Sequence, residues 1–272
     1  MAPERVAARP APRLKFGARS PAQARESRNG ALPPGSVPPH PAGWLAFDMD
    51  GVLVDVRGSF RIATEHTVEA LGGTAVRSGE IAHLKHAGGF NNDWDVTREL
   101  LLQRGIAVPR ARVIAVFNDF YLGRNGMRGL ILEERWLLPR ATLRQLRRRY
   151  HLAIFTGRPR ADALFTLRRF RVEAAFDALL GLEDTKPKPH PDGLLQLRRF
   201  HDGLPITAYF GDTVDDARCA ASARVPFVGI ADRRSAHGRE LAKLFAAAGS
   251  QRLAASVAAA VGPFLAGGAP GR

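Results

Sequence analysis

Asp48 and Asp50 stand two residues apart, are followed by Gly51, and come directly after the apolar run Trp44 to Phe47. Carboxylates buried at a strand end are costly unless a cation or a reaction compensates them, so this pair points to metal binding or catalysis. A second acidic group, Gly211-Asp212-Thr213-Val214-Asp215-Asp216, follows another apolar run, Ile206 to Phe210. Hard carboxylate oxygens delivered from two strand ends suit Mg2+, which takes one or two carboxylates and keeps positions for water and substrate oxygens. Asp212 and Asp216 are four apart, so a helical turn places both on one side, one as ligand and one as its support. Thr156-Gly157-Arg158 and Lys186-Pro187-Lys188-Pro189 add hydroxyl and ammonium groups fitted to phosphate oxygens, with prolines stiffening the lysine loop.

These groups need a scaffold that gathers strand ends. Trp44 to Phe47, Leu152 to Phe155 and Ile206 to Phe210 each stop at a polar, chemically capable residue. Further strands are expected at Ala178 to Leu182 and Val225 to Ile230, with helices over Thr142 to Tyr150, Arg160 to Phe170, Pro191 to His201 and Asp215 to Ala223. Short apolar runs alternating with helices indicate an α/β protein with a Rossmann-like parallel sheet, whose ligands bind beyond the carboxyl ends of the strands. The stretch between the first two strand runs carries helical periods instead: Ser59 to Leu71, Ser78 to His86, Asp93 to Gln103 and Arg110 to Leu122. It reads as an inserted α-helical cap over 56–136, with the core at 44–55 and 137–272.

Residues 1–43 hold nine prolines and seven basic against two acidic side chains, and the expectation is a disordered basic tail or a misassigned start. The whole chain carries 40 basic and 26 acidic residues, a net charge of +14. Only five of the basic residues are lysines, an arginine bias that resembles GC-rich coding and does not require nucleic acid as a partner. One cysteine, Cys219, excludes an internal disulfide and a cysteine-built zinc site. With no apolar stretch long enough to span a bilayer, a soluble cytoplasmic protein is expected, as monomer or homodimer.

Taken in order, Asp48-Met49-Asp50-Gly51, Thr156, Lys188, and Asp212 with Asp216 resemble the four motifs of the haloacid dehalogenase (HAD) superfamily, and the likeness covers about Leu45 to Ile230. The inserted helices resemble the cap of its phosphoglycolate-phosphatase-like subfamily. The resemblance implies that Asp48 is the nucleophile and Asp50 the general acid and base. It further implies that Thr156 and Lys188 hold the phosphoryl group, and that Mg2+ sits on Asp48, the Asp50 carbonyl and Asp212. Lys188 is preferred over Lys186 because Pro191-Asp192-Gly193-Leu194 follows it at the family's spacing. The implied activity is hydrolysis of a small phosphomonoester, phosphoglycolate or a sugar phosphate, with a phosphomutase or a basic binding protein as alternatives. Asp50 disfavours a dehalogenase, whose halide leaving group needs no acid.

Other residues are assigned more modestly. Asn91, Asn92, Asp93 and Trp94 suit a helix start, and this cap loop is expected to close over the core site and select the leaving group, with Lys85 or Asn92 touching substrate and Gly157 as a further substrate residue. Asp215 is expected as a helix-start acid. His83 and His86, three apart on a helix, are expected on a solvated face, as are Arg144, Arg147, Arg148 and Arg149. Arg158 could reach substrate but carries little weight in a chain so rich in arginine, and Cys219 is expected to pack on the helix after Asp216.

Overall fold

The protein was analysed as a computed structural model that describes residues 41–266 apart from 78, 91, 125, 201, 202 and 251. The expected tail therefore lies outside the described residues except for its last three, and so does Asn91. Strand β1 (Trp44–Phe47) leads through a tight turn into β2 (Val54–Asp55). Helices α1 (Phe60–Ala70), α2 (Glu80–Ala87), α3 (Asp93–Gln103) and α4 (Arg110–Tyr121) follow, and the chain returns through a 3₁₀ turn at Leu130–Glu133 to β3 (Arg135–Trp136). Then come α5 (Arg140–Arg147), β4 (His151–Phe155), α6 (Arg160–Arg169), β5 (Ala178–Leu180), α7 (Asp192–Leu197), β6 (Ile206–Gly211), α8 (Val214–Ala223) and β7 (Phe227–Ile230). The described chain closes with α9 (Ala236–Ala247), β8 (Arg252–Ala254), α10 (Val257–Ala260) and α11 (Gly262–Leu265).

Six strands form one parallel sheet in the order β5-β4-β1-β6-β7-β8. Every residue of β1 and β4 is buried because helices cover both faces, which is why these strands read as unbroken apolar runs. Leu45, Phe47, Leu152, Ile154 and Phe210 pack on one side against Leu143, Leu167 and Phe264. Trp44, Ala46, Phe155 and Tyr209 pack on the other against Leu194, Cys219 and Phe245. The chain runs from β1 to β4 on one side and later crosses to β6 on the other, so the carboxyl ends of these three strands frame a topological switch point.

The helical excursion has its own apolar centres, one around Val68, Leu100 and Val113 and another around Phe60, Phe117 and Tyr121. It leaves and re-enters through β2 and β3, which pair antiparallel with Val54 opposite Trp136 and Asp55 opposite Arg135. Two-residue strands carry no readable period, and this ribbon escapes sequence reasoning, as do α9 and β8. Helix α7 ends at Leu197, short of the expected end at His201, which lies outside the described residues. The arginine run is not wholly solvated: Arg147 is buried, donating to the Ala175 carbonyl at 2.5 Å and pairing with Asp177 at 3.1 Å. His86 likewise leaves the solvated face expected for it and stacks on His237 of α9, ring centroids 4.7 Å apart. Among the described residues no helix is long and apolar enough to cross a membrane.

Candidate active site

Asp48 follows β1, and its N–H donates to the Phe210 carbonyl at 2.8 Å, which carries the sheet pairing one residue further and fixes the nucleophile candidate beyond the strand end. The turn that follows is held at one oxygen: the N–H groups of Leu53 and Val54 both donate to the Met49 carbonyl at 2.9 Å. Gly51 sits at φ +71°, and a Cβ there would overlap the Asp212 carboxylate. Only glycine allows both that backbone shape and that close approach.

Lys188 is buried, with its ammonium 2.9 Å from Asp48 and 2.7 Å from Asp216. Lys186 is exposed, its main-chain N–H donating to Asp192 at 3.0 Å, so of the two lysines only Lys188 reaches the acidic centre. Asp216 also accepts from Tyr209 Oη at 2.5 Å and from Thr213 N and Oγ1, and closes a capping box at the start of α8. Both of its oxygens are thus engaged in holding Lys188 and the loop. Burial opposes its ionised form, but Lys188 and these hydrogen bonds prevail and hold its pKa below the ordinary range.

Asp212 has no ion-pair partner among the described residues. Burial, reinforced by Asp48 and Asp216, pushes its pKa well above the carboxylate range. Asp48 is pushed up to about 7, chiefly by burial, with Lys188 opposing and Asp216 adding to the rise. Carboxylate oxygens of Asp48, Asp212 and Asp216 all lie within 4.8 Å of one another, beside the space that Gly51 leaves open. An unpaired, half-buried carboxylate among like charges and hard oxygen donors fits a divalent cation such as Mg2+.

Asp50 meets a partner that sequence reasoning undervalued. Arg158 Nε donates to it at 2.5 Å, from a side chain with no exposed surface. The same guanidinium contacts Glu134 with both terminal nitrogens, at 3.1 and 2.9 Å, and donates to Tyr121 Oη and Thr166 Oγ1, each at 3.1 Å. Ser59 and Tyr121, from the helical excursion, donate to Glu134 as well. Burial raises the Asp50 pKa against the pull of Arg158, and Glu134 and Asp93 add to the rise. None of Glu134, Tyr121 and Thr166 follows a motif; each is recognisable only once the fold gathers it around Arg158.

Asp48, Asp50, Gly157, Lys188, Asp212 and Thr213 line one cleft with Lys85, Phe90 and Asp93 from the helical excursion. Thr156 is buried one residue behind Gly157, its Oγ1 accepting from Arg158 N at 3.2 Å. Lys85 pairs with Asp93 at 3.0 Å, and although burial works against its charge, Asp93 outweighs it and raises its pKa. Asn92 is occupied as the cap of α3, accepting from Asp95 N at 2.9 Å, and lines an adjoining cleft rather than this one. Asp215 is more than a helix-start acid: it accepts from Gly89 N at 2.7 Å and ties the α2–α3 loop to α8.

Residues 44–224 match the family model described as haloacid dehalogenase-like hydrolase. A protein of Phytophthora nicotianae named imidazoleglycerol-phosphate dehydratase is 37% identical over 183 residues, 65% of this chain and 40% of that protein, so the chain spans well under half its relative's length. Among solved structures, phosphatase Tt82 from Thermococcus thioreducens superposes with a TM-score of 0.55 at 25% identity, covering 69% of this chain and 92% of that one. A HAD-superfamily hydrolase of subfamily IA from Geobacter sulfurreducens shares the fold with a TM-score of 0.51 at 21% identity, covering 77% of this chain and all of the other. With the parallel sheet, the strand-end acids and a matching model over most of its length, the chain belongs to the haloacid dehalogenase-like hydrolases.

Proposed function

We propose that the protein is a Mg2+-dependent phosphomonoester hydrolase that works on a small phosphorylated metabolite through an aspartyl-phosphate on Asp48. The observation that carries this reading is a buried lysine paired with one carboxylate of a cleft whose other acids include an unpaired Asp212 and an Asp50 of raised pKa. In the first half-reaction an Asp48 oxygen forms a bond to phosphorus, the bond from phosphorus to the alcohol oxygen breaks, and Asp50 gives its proton to the departing alkoxide. In the second, Asp50 takes a proton from water as the water oxygen attacks phosphorus, releasing phosphate and restoring Asp48. Lys188 and the Thr156 hydroxyl hold phosphoryl oxygens in both halves. Asp48, the Asp50 carbonyl and Asp212 would hold Mg2+, with Asp216 steadying Lys188 behind them. The cation supplies positive charge where two anions meet.

A raised Asp50 pKa supports the acid role, because a carboxyl group must keep its proton until the alkoxide needs it. The test is phosphate release with Mg2+ and with chelator over a metabolite panel that includes phosphoglycolate, sugar phosphates and imidazoleglycerol phosphate. Release that depends on Mg2+ and is lost in Asp48→Asn supports the reading. A phosphomutase would share nucleophile and acid, so isomerised hexose phosphate without free phosphate would overturn it.

A further inference from the structure

A second cleft adjoins the first and shares Asp50, Asp93 and Gly157 with it. Four aromatic rings, Phe60, Trp94, Phe117 and Tyr121, form much of the wall of this narrow, open cleft. The phosphoryl groups of the proposed reaction sit at Asp48, and the alcohol leaves past Asp50, so this cleft lies where the alcohol must be housed.

Its charge is distinctive. Asp50, Asp93 and Asp162 line it and Glu134 stands behind Arg158. Three of these carboxylates are matched inside the protein: Asp50 and Glu134 by Arg158, and Asp93 by Lys85. The Asp162 carboxylate, in the first turn of α6, alone accepts no hydrogen bond and makes no ion pair among the described residues, although it is partly buried and burial raises its pKa against the field of Arg158. Four acids against two bases leave this end negative, while Lys188 makes the other end the place for a phosphate. Arg158 lies 4.8 Å over the Phe60 ring and Arg110 5.8 Å over Trp94, so this wall already carries cations on its rings, and the unmatched carboxylate is what favours a further one.

We propose that this cleft seats the alcohol part of the substrate and selects phosphomonoesters whose alcohol carries a positively charged nitrogen, with Asp162 as its counter-ion. The inference rests on the phosphomonoesterase reading above and narrows it. It disfavours phosphoglycolate, whose alcohol part is itself an anion.

The experiment compares 4-aminobutyl phosphate with pentyl phosphate, which replaces the ammonium by a methyl group, and with the anionic 3-carboxypropyl phosphate. Phosphate release by the full chain with Mg2+ is expected to favour the amino ester over the pentyl ester by about tenfold or more in kcat/KM, with the carboxy ester poorest. Asp162→Asn is expected to bring the amino-to-pentyl ratio to within about threefold. That ratio does not depend on how much of the variant is folded. Equal rates for the three esters, or a ratio indifferent to Asp162→Asn, overturn the proposal. The hydrolase reading stands or falls on the metabolite panel; if no ester releases phosphate, calorimetric binding of the three esters to Asp48→Asn decides the seat separately: tighter binding of the amino ester upholds it, and equal binding overturns it.

Discussion

Arg158 shows what one residue type conceals. In a chain crowded with arginine it is unremarkable by composition, yet it is fully buried and joins the candidate acid Asp50 to Glu134, Tyr121 and Thr166. Removing one member of a buried pair strands the other, so Glu134→Gln is expected to cost about 3 kcal/mol in urea unfolding. Asp48 and Asp50, by contrast, are legible because a carboxylate at the end of a buried strand is costly unless a cation or a reaction offsets it. Asp48→Asn is expected to lower turnover below detection and Asp50→Asn to reduce it by about a hundredfold or more, both read as phosphate release. Stability should move the other way. The folded Asp48 carboxyl retains its proton up to about pH 7, whereas the unfolded chain releases it near 3.8, so its contribution is present below pH 3.8 and lost as pH rises through 7. In chelator, therefore, the melting temperature of Asp48→Asn should pull ahead of the parent as pH rises from 4 to 7.5, and Mg2+ should narrow the gap.

The helices were readable where local chemistry marks their ends. Asn92 caps α3, and Pro109 precedes α4; both starts coincide with the sequence expectation. What local pattern could not reveal is which helix leans on which. Asp215 of α8 holds the loop after α2 through Gly89, and His86 of α2 stacks on His237 of α9. Asp215→Ala should release that loop, and faster amide exchange across residues 86–92 with a raised KM would show it. The histidine pair adds a pH dependence of known sign. Burial lowers both pKa values, and at His86 the neighbouring His237 adds to the drop, so their contribution is present above about pH 6.5 and lost as pH falls below it. Protection factors for amide exchange in α2, corrected for the intrinsic rate at each pH, should fall between pH 6.5 and 5, and His237→Asn should blunt the change.

Across the whole molecule, the parallel sheet follows from runs that are apolar on both faces, and the site from its position at the switch point between β4, β1 and β6. Binding of Mg2+ to folded protein alone would stabilise it by about 2.7 kcal/mol at a hundred times Kd, measurable as a concentration-dependent melting temperature that Asp212→Asn abolishes. The site's alcohol end was not legible in sequence, because its wall is assembled from α1, α3, α4 and the turn after β4, far apart along the chain. The β2–β3 ribbon has a bearing on how such an enzyme changes over generations. Because the chain departs and returns through neighbouring, paired residues, insertions, deletions or wholesale exchange of the intervening helices need not displace any strand of the six-stranded sheet. Preference for the alcohol can drift while phosphoryl chemistry is inherited intact, provided that whatever replaces the excursion again gives Arg158 a buried anion.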